Sequence, residues 1–454
     1  MSETRWRGNW WRLDKSDERQ SGTLFHADDG SLRLELIGGF GYTEWRRTEH
    51  GMTGSLGDPR FPILLGQCGN EPFTLLDSIA SNTRTVSLFP DDVGEQTLTA
   101  TRGLRGIRLA RPDEPIFDAV HLELEYLLGW AGQTTMQGEL VMEEGRWTGE
   151  QTVRTKPVED LTASHGDVIF TLSMPFTNLR FDLEPHTGHR VISGREWAEL
   201  KLAFANPVSL DGFNRLTTAL ADLMTLCAHA PAGALKRIFT YTTSDAHPAA
   251  AEIGTAELMS QQVHQPGRPA RDVAMVEYLF TLKDVAFDVV VPAWMELYER
   301  AEAALHPLFG FKYGSQGYVQ HRLLSVASAA EALHRSLHAR RSKLSFRNRL
   351  LRLADIPDAE AVQTLVPAVE QWADLLVRAR NVVAHADGAP IENAELVRWA
   401  GLCHALAEVT YALVSIVLLA ELGLSAEVQR RAATNQDFMV AAKNYAEAVA
   451  AGPK

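Results

Sequence analysis

Cysteine is scarce in this 454-residue chain: Cys68, Cys227 and Cys403 lie far apart, are odd in number and form no C-x-x-C pair. That argues against both a disulfide framework and a cysteine-rich zinc site. Positive charge is in deficit as well. The formal net charge of −13 disfavours non-specific binding of nucleic acid by the whole surface, so any such site must be a local basic patch. The opening run MSETRWRGNWWRLDKS lacks the apolar core of a signal peptide. The most apolar stretch, residues 409–420, is bracketed by Glu408 and Glu421. It is too short to cross a bilayer and reads as the buried helix of a bundle. The expected setting is a reducing cytoplasm, with no membrane partner. Internal repeats and low-complexity tracts are missing too, apart from an Ala-rich tail after Ser425.

Cofactor and metal signatures are equally thin. The glycine-rich run GGFGYT (38–43) is not followed by Lys-Ser/Thr and lies among strands, so it reads as a turn. His334 and His338 sit one helical turn apart, but no H-E-x-x-H and no third nearby ligand accompany them. A surface or RNA-facing place is expected for that pair. Cys227 and His229 make a weaker case still. No cofactor and no metal are expected.

What is present is ordinary globular material, 45% hydrophobic and 22% charged. The length predicts two or three domains, and the hydrophobic period divides the chain. Residues 1–208 read as an N-terminal antiparallel β domain, sandwich-like. Residues 31–36 and 120–126 alternate apolar and polar, the period of half-buried strands. Further strands are expected at 62–65, 73–76, 85–88, 167–174, 179–183 and 199–204. Trp6, Trp10 and Trp11 are expected to close that domain's core. Residues 209–285 read as a mixed α/β connecting segment: a helix over 213–228, a strand over 236–243 and a surface loop over 264–272. Residues 286–454 read as an all-α bundle, with helices near 319–341, 363–386 and 394–423 carrying apolar stripes at steps of three and four. The fold class is therefore α+β multidomain.

The chemistry-bearing run is RARNVVAHADG (378–388). On a helix Arg378, Asn381 and His385 share one face, while Arg380 lies about 140° around from His385. The two come together only if the arginine side chain curls or the helix ends, and Gly388 and Pro390 supply an end. Between Ala332 and Ala354 stand seven basic residues (Arg335, Arg340, Arg341, Lys343, Arg347, Arg349 and Arg352) and no Asp or Glu. In an acidic protein this is the composition a phosphate-tracking surface needs; a solubilising face is the plainer alternative.

RNVVAH on the third helix of such a bundle resembles the R-x4–6-H signature of HEPN ribonucleases. The stretch 285–309, the helix bearing ASAAEALHRSL (327–337) and RNVVAH together resemble the ApeA-type abortive-infection proteins. So do the N-terminal pieces GTLFHADDGSLRLELIG (22–38) and FPILLGQCGNEPFTLLDS (61–78). The resemblance implies a metal-independent endoribonuclease acting in defence against phage, with the β domain as sensor of a phage-derived trigger. Its motif falls on Arg380, Asn381 and His385, with Glu331 and Arg378 as accessory candidates. It implies RNA as partner, tRNA or another structured cellular RNA among the candidates, and a homodimer or higher homo-oligomer that brings two motifs together. His385, with an unperturbed pKa near ~6.5, suits proton transfer. Arg380 suits stabilisation of charge on the phosphate. Two other readings stand beside this one: a HEPN module that binds RNA or protein without cutting, and a dimerising scaffold whose β domain is the functional sensor.

Overall fold

A computed structural model describes residues 3–41, 43–48, 51–56, 58–84, 94–183, 189–243, 252–266, 277–314, 317–338, 343–385 and 393–452. The first eight strands are β1 (Glu3–Arg12), β2 (Lys15–Ala27), β3 (Leu32–Ile37), β4 (Thr43–Thr48), β5 (Gly51–Leu56), β6 (Arg60–Cys68), β7 (Glu71–Arg84) and β8 (Glu95–Ala100). Apart from the β4–β5 hairpin they form a ring. β6 pairs with β1, β1 with β2, β2 with β3, β3 with β8, β8 with β7, and β7 with β6. The antiparallel domain anticipated at the N-terminus is thus a small closed barrel, which leaves no free edge among these six strands. Alternation decides what fills it. Leu32, Leu34 and Leu36 of β3 point inward with Leu98 of β8 and Phe73 and Leu75 of β7, around a fully buried Trp10. Gly66 is required opposite, because a Cβ there would run into the Trp10 ring.

The chain continues through β9 (Arg102–Arg105), β10 (Phe117–Leu124), α1 (Leu127–Ala131), β11 (Met136–Glu143), β12 (Arg146–Thr155), β13 (Leu161–His165), β14 (Val168–Ser173), β15 (Arg180–Leu183), β16 (Arg190–Ser193), β17 (Glu199–Val208), α2 (Leu210–Ala228), β18 (Ala234–Thr243) and β19 (Glu252–Ser260). β11–β12 and β15–β16 are separate hairpins. The others form an open sheet in the order β13-β14-β17-β10-β18-β19-β9, joined to the barrel where β9 pairs with β7. The strands of the mixed middle region are therefore hydrogen-bonded into the same 13-stranded sheet as the barrel. Helix α2 lies against the open part, where Phe213 meets the Phe239 ring edge-on at 4.7 Å.

The remainder is helical, as anticipated: α3 (Phe287–Tyr313), α4 (Val319–Leu337), α5 (Phe346–Ala354), α6 (Ala359–Leu365), α7 (Val369–His385), α8 (Asn393–Glu421), α9 (Ala426–Ala433) and α10 (Gln436–Ala451). α8 is the bundle's central helix. Val397–Glu421 is long and apolar enough to cross a membrane by length and composition, but 89% of its most apolar stretch is buried inside the protein. α3 is sewn to α2: the Trp294 indole donates to the Ala219 carbonyl at 2.7 Å, and the Tyr298 hydroxyl donates to Asp222 at 3.1 Å. One continuous apolar core runs from the open sheet through α2 into the bundle, and the barrel keeps a second core of its own.

Two expectations about local structure are corrected. Residues 342–360, the stretch between the helices expected near 319–341 and 363–386, hold α5 and the start of α6, with Ser345 and Asp358 as N-caps. The helix expected over 363–386 is two helices, broken between Leu365 and Val369 at Pro367, which disfavours helical backbone in the residue before it. The strand expected at 85–88 and most of the loop expected at 264–272 lie outside the described residues.

Candidate active site

Three helices meet at the acid-free basic stretch. α4 carries Glu331, whose side chain is only 15% exposed, and that carboxylate faces three guanidinium groups. Arg335, one turn further along α4, donates to Oε1 at 2.5 Å. Arg380 of α7 reaches Oε2 at 3.1 Å, and Nε of Arg349, on α5, lies 3.9 Å from Oε1. Arg349 also donates to the Leu344 carbonyl at 3.2 Å. The Arg380 guanidinium lies over the Phe346 ring, 4.5 Å from its centroid, so a cation–π contact and an ion pair hold it in one place. Three cations against one carboxylate leave the cluster net positive, and exposed Lys343 and Arg352 add to the field.

α7 presents Arg380 because its apolar stripe is Trp372, Leu376, Ala379 and Val383, which turns toward the core. Arg380 flanks that stripe on the side of α4 and α5. Arg378 and Asn381 are exposed on another sector. The helix stays regular through His385, its last residue. The backbone therefore sets Arg380 and His385 about 140° apart, and position 385 falls in the same helical sector as Arg378 and Asn381. The His385 side chain lies outside the described residues, as do Arg340 and Arg341.

Other members of the basic stretch have separate attachments. Arg347 is gripped by Asp374 of α7, with contacts of 2.5 and 3.2 Å. The surface or RNA-facing place expected for His334 and His338 is corrected for His334, while His338 is half-buried. His334 is 1% exposed, and its ring stacks on His338 at 4.3 Å and 14°. His338 Nδ1 lies 3.0 Å from the His334 carbonyl. Burial pushes the His334 pKa down to about 4, and nearby His338, Arg349 and Arg352 push the same way. The ring is neutral at pH 7 and packs against the cationic cluster from inside. Among the described residues neither of its ring nitrogens has a hydrogen-bond partner.

Sequence reasoning missed Phe346, the platform under Arg380. The available signal was S-x-x-N at residues 345–348 ahead of Leu350, Leu351, Leu353 and Ala354, which marks a capped amphipathic helix rather than a linker.

The family model described as ApeA N-terminal domain 1 matches residues 5–294, and the one described as Apea-like HEPN matches residues 324–428. No curated protein matches the chain. A solved structure described as "pT26-6p" is similar over 98% of this chain and 93% of its own, at 9% identity and a TM-score of 0.16, too slight a likeness to bear on fold or function.

Proposed function

Because this chain belongs to the ApeA family, with an ApeA N-terminal domain ahead of an Apea-like HEPN domain, we propose that it is a metal-independent endoribonuclease effector of anti-phage abortive infection. The observation that supports the reading best is the placement of Arg380. It is clamped by Glu331 and Phe346 within a net-positive cluster, on the helix that ends at His385.

In this reading the substrate's 2′-OH attacks the adjacent phosphorus and the 5′-oxygen leaves, giving a 2′,3′-cyclic phosphate and a 5′-OH. His385 takes the 2′-OH proton as general base, or returns a proton to the leaving oxygen as general acid. Arg380 offers a planar fork to two phosphate oxygens as charge grows on them, and Asn381 holds the histidine or a phosphate oxygen. One chain carries one such histidine, and its Arg380 lies on a different sector of α7. A two-fold assembly in which one protomer's arginine faces its partner's histidine would satisfy both demands. The N-terminal region serves as sensor of a phage-derived trigger, and the RNA is tRNA or another structured cellular RNA, met in the cytoplasm.

The 140° offset also favours a second reading, a HEPN module that holds RNA without cutting it. Purified protein incubated with total RNA, compared with H385A, separates the two. Fragments ending in cyclic phosphate that vanish in H385A support cleavage; retained RNA binding with no fragments supports the second reading.

A further inference from the structure

Away from the arginine cluster, a cavity of about 320 Å³ opens on the seam between the open sheet and α2, with Tyr313 of α3 also in its wall. Its lining includes Arg237, Ser260, Arg102, His264 and Thr218. Arg237 belongs to β18, where pairing with β10 sets it opposite Leu122 in the middle of the sheet. It is 9% exposed. Its only bonds among the described residues run from Nη2 to the Ser260 carbonyl at 3.3 Å and the Ser260 hydroxyl at 3.0 Å. Among the described residues no carboxylate pairs with it.

The neighbouring basic side chains are treated differently. Arg102, in the same wall, is tied to Asp211 and, at 3.3 Å, to Asp77. His264 faces Glu125 at 3.1 Å. A guanidinium taken out of water without a counter-charge is among the costliest groups a fold can bury. Desolvation alone pushes the Arg237 pKa down to about 10, with no carboxylate among the described residues to lift it back. It is still cationic at neutral pH. A planar fork with unused donors, beside a cavity, matches two oxygens of an oxyanion.

We propose that this cavity binds a small oxyanionic molecule through Arg237, a phosphate or carboxylate compound no larger than a mononucleotide. The size limit follows from the volume, which is at the lower end for ligand sites. Nothing in this inference depends on RNA cleavage. The site lies on the sheet side of α2, and its occupant is not the RNA backbone.

The test is thermal melting and isothermal titration of the full chain with inorganic phosphate, AMP and malonate, against adenosine and sodium chloride at matched ionic strength. At least one oxyanion should bind saturably and raise the melting temperature by a few degrees once it exceeds its dissociation constant about tenfold. Adenosine and chloride should not. Phosphate against malonate identifies the anion class, and AMP against phosphate shows whether the rest of the cavity contributes. Arg237→Met should weaken binding more than ~10-fold. Thr218→Trp, an exposed position on the cavity rim, should weaken it by obstruction with the core untouched, and it decides the matter if Arg237→Met does not fold. The proposal is overturned if none of the three oxyanions binds at millimolar concentration, or if both variants bind as the wild type does.

Discussion

Glu331→Gln takes one negative charge from the point where three guanidinium groups converge, while keeping the shape of the side chain. The cost can be built contact by contact. Arg335 has 61% of its side chain exposed, so its pair contributes about 0–1 kcal/mol. Arg380 is 32% exposed and forms an ion pair with a carboxylate that is itself 15% exposed; a partly buried ion pair in that setting contributes about 1–2 kcal/mol. Arg349, at 3.9 Å, adds on the order of 1 kcal/mol through space. The three cations also repel one another once the carboxylate is gone. The expected loss is about 2–4 kcal/mol, a fall in melting temperature on the order of 5–15 °C for a bundle of this size. Circular dichroism melts of wild type, Glu331→Gln, Arg380→Ala and the double variant measure it, with a coupling of about 1–3 kcal/mol expected between the two positions. Because Glu331 positions Arg380, Glu331→Gln should also lower kcat for RNA cleavage by ~10-fold or more, with little change in KM. A melting temperature equal to wild type, or a double variant whose loss is the plain sum of the singles, would refute the clamp.

His385→Ala should abolish cleavage while leaving the melting curve in place, and wild-type cleavage should survive EDTA; an RNA gel reads both. Arg380→Ala should be far more damaging to cleavage than Arg378→Ala, because only Arg380 is built into the clamp; the reverse ranking would move the site to the exposed sector of α7. Changing Arg335, Lys343 and Arg352 together to Glu should weaken RNA binding and flatten its salt dependence by about 0.7–0.9 units of slope per lost phosphate contact, with the assembly state unchanged by light scattering. Arg347 is left out because Asp374 already holds it. Asp222 is buried between α2 and α3, and its pKa is pushed up to about 7 from 3.8 by desolvation, against the hydroxyls of Tyr313 and Tyr298 that donate to it. The folded state keeps that proton longer than the unfolded chain. Its contribution to stability is therefore full below about pH 4 and declines as pH rises to about 7. Asp222→Asn should gain on wild type in chemical denaturation across that window and hold its advantage above it; equal pH slopes for the two proteins would refute the assignment.

Of the seventeen strands described up to Val208, β3, β6, β7, β10, β14, β15 and β17 were anticipated; the clearest of them present one face to a core, as Leu32, Leu34 and Leu36 do in β3. β1 and β2 were not anticipated. In β1 Trp6 only flanks the barrel core and Trp10 and Trp11 alone are buried, next to each other in sequence, so the run carries little apolar alternation to read. It pairs along its length with its sequence neighbour β2, and its last four residues also pair with β6, more than fifty residues away. Ring closure rests likewise on β7, whose first part pairs with β9 and whose later part turns to β8. No local pattern encodes a strand that changes partners along its length.

The sequence by itself determined the classes of element and the inventory of the candidate site. Periods of two and of three to four follow from which face each segment buries, and the acid-free basic stretch and RNVVAH are plain in the one-dimensional string. Only the tertiary structure decided which of those cations share a carboxylate. Glu331, Arg349 and Arg380 sit on three different helices, so their meeting depends on how α4, α5 and α7 pack. The same packing gives Arg347 to Asp374 and buries His334. Helical wheel geometry separates Arg380 from Arg378 by sector. The ion pair and the Phe346 ring then decide what each sector touches, because electrostatic and cation–π contacts act over a few ångströms of space rather than along the chain.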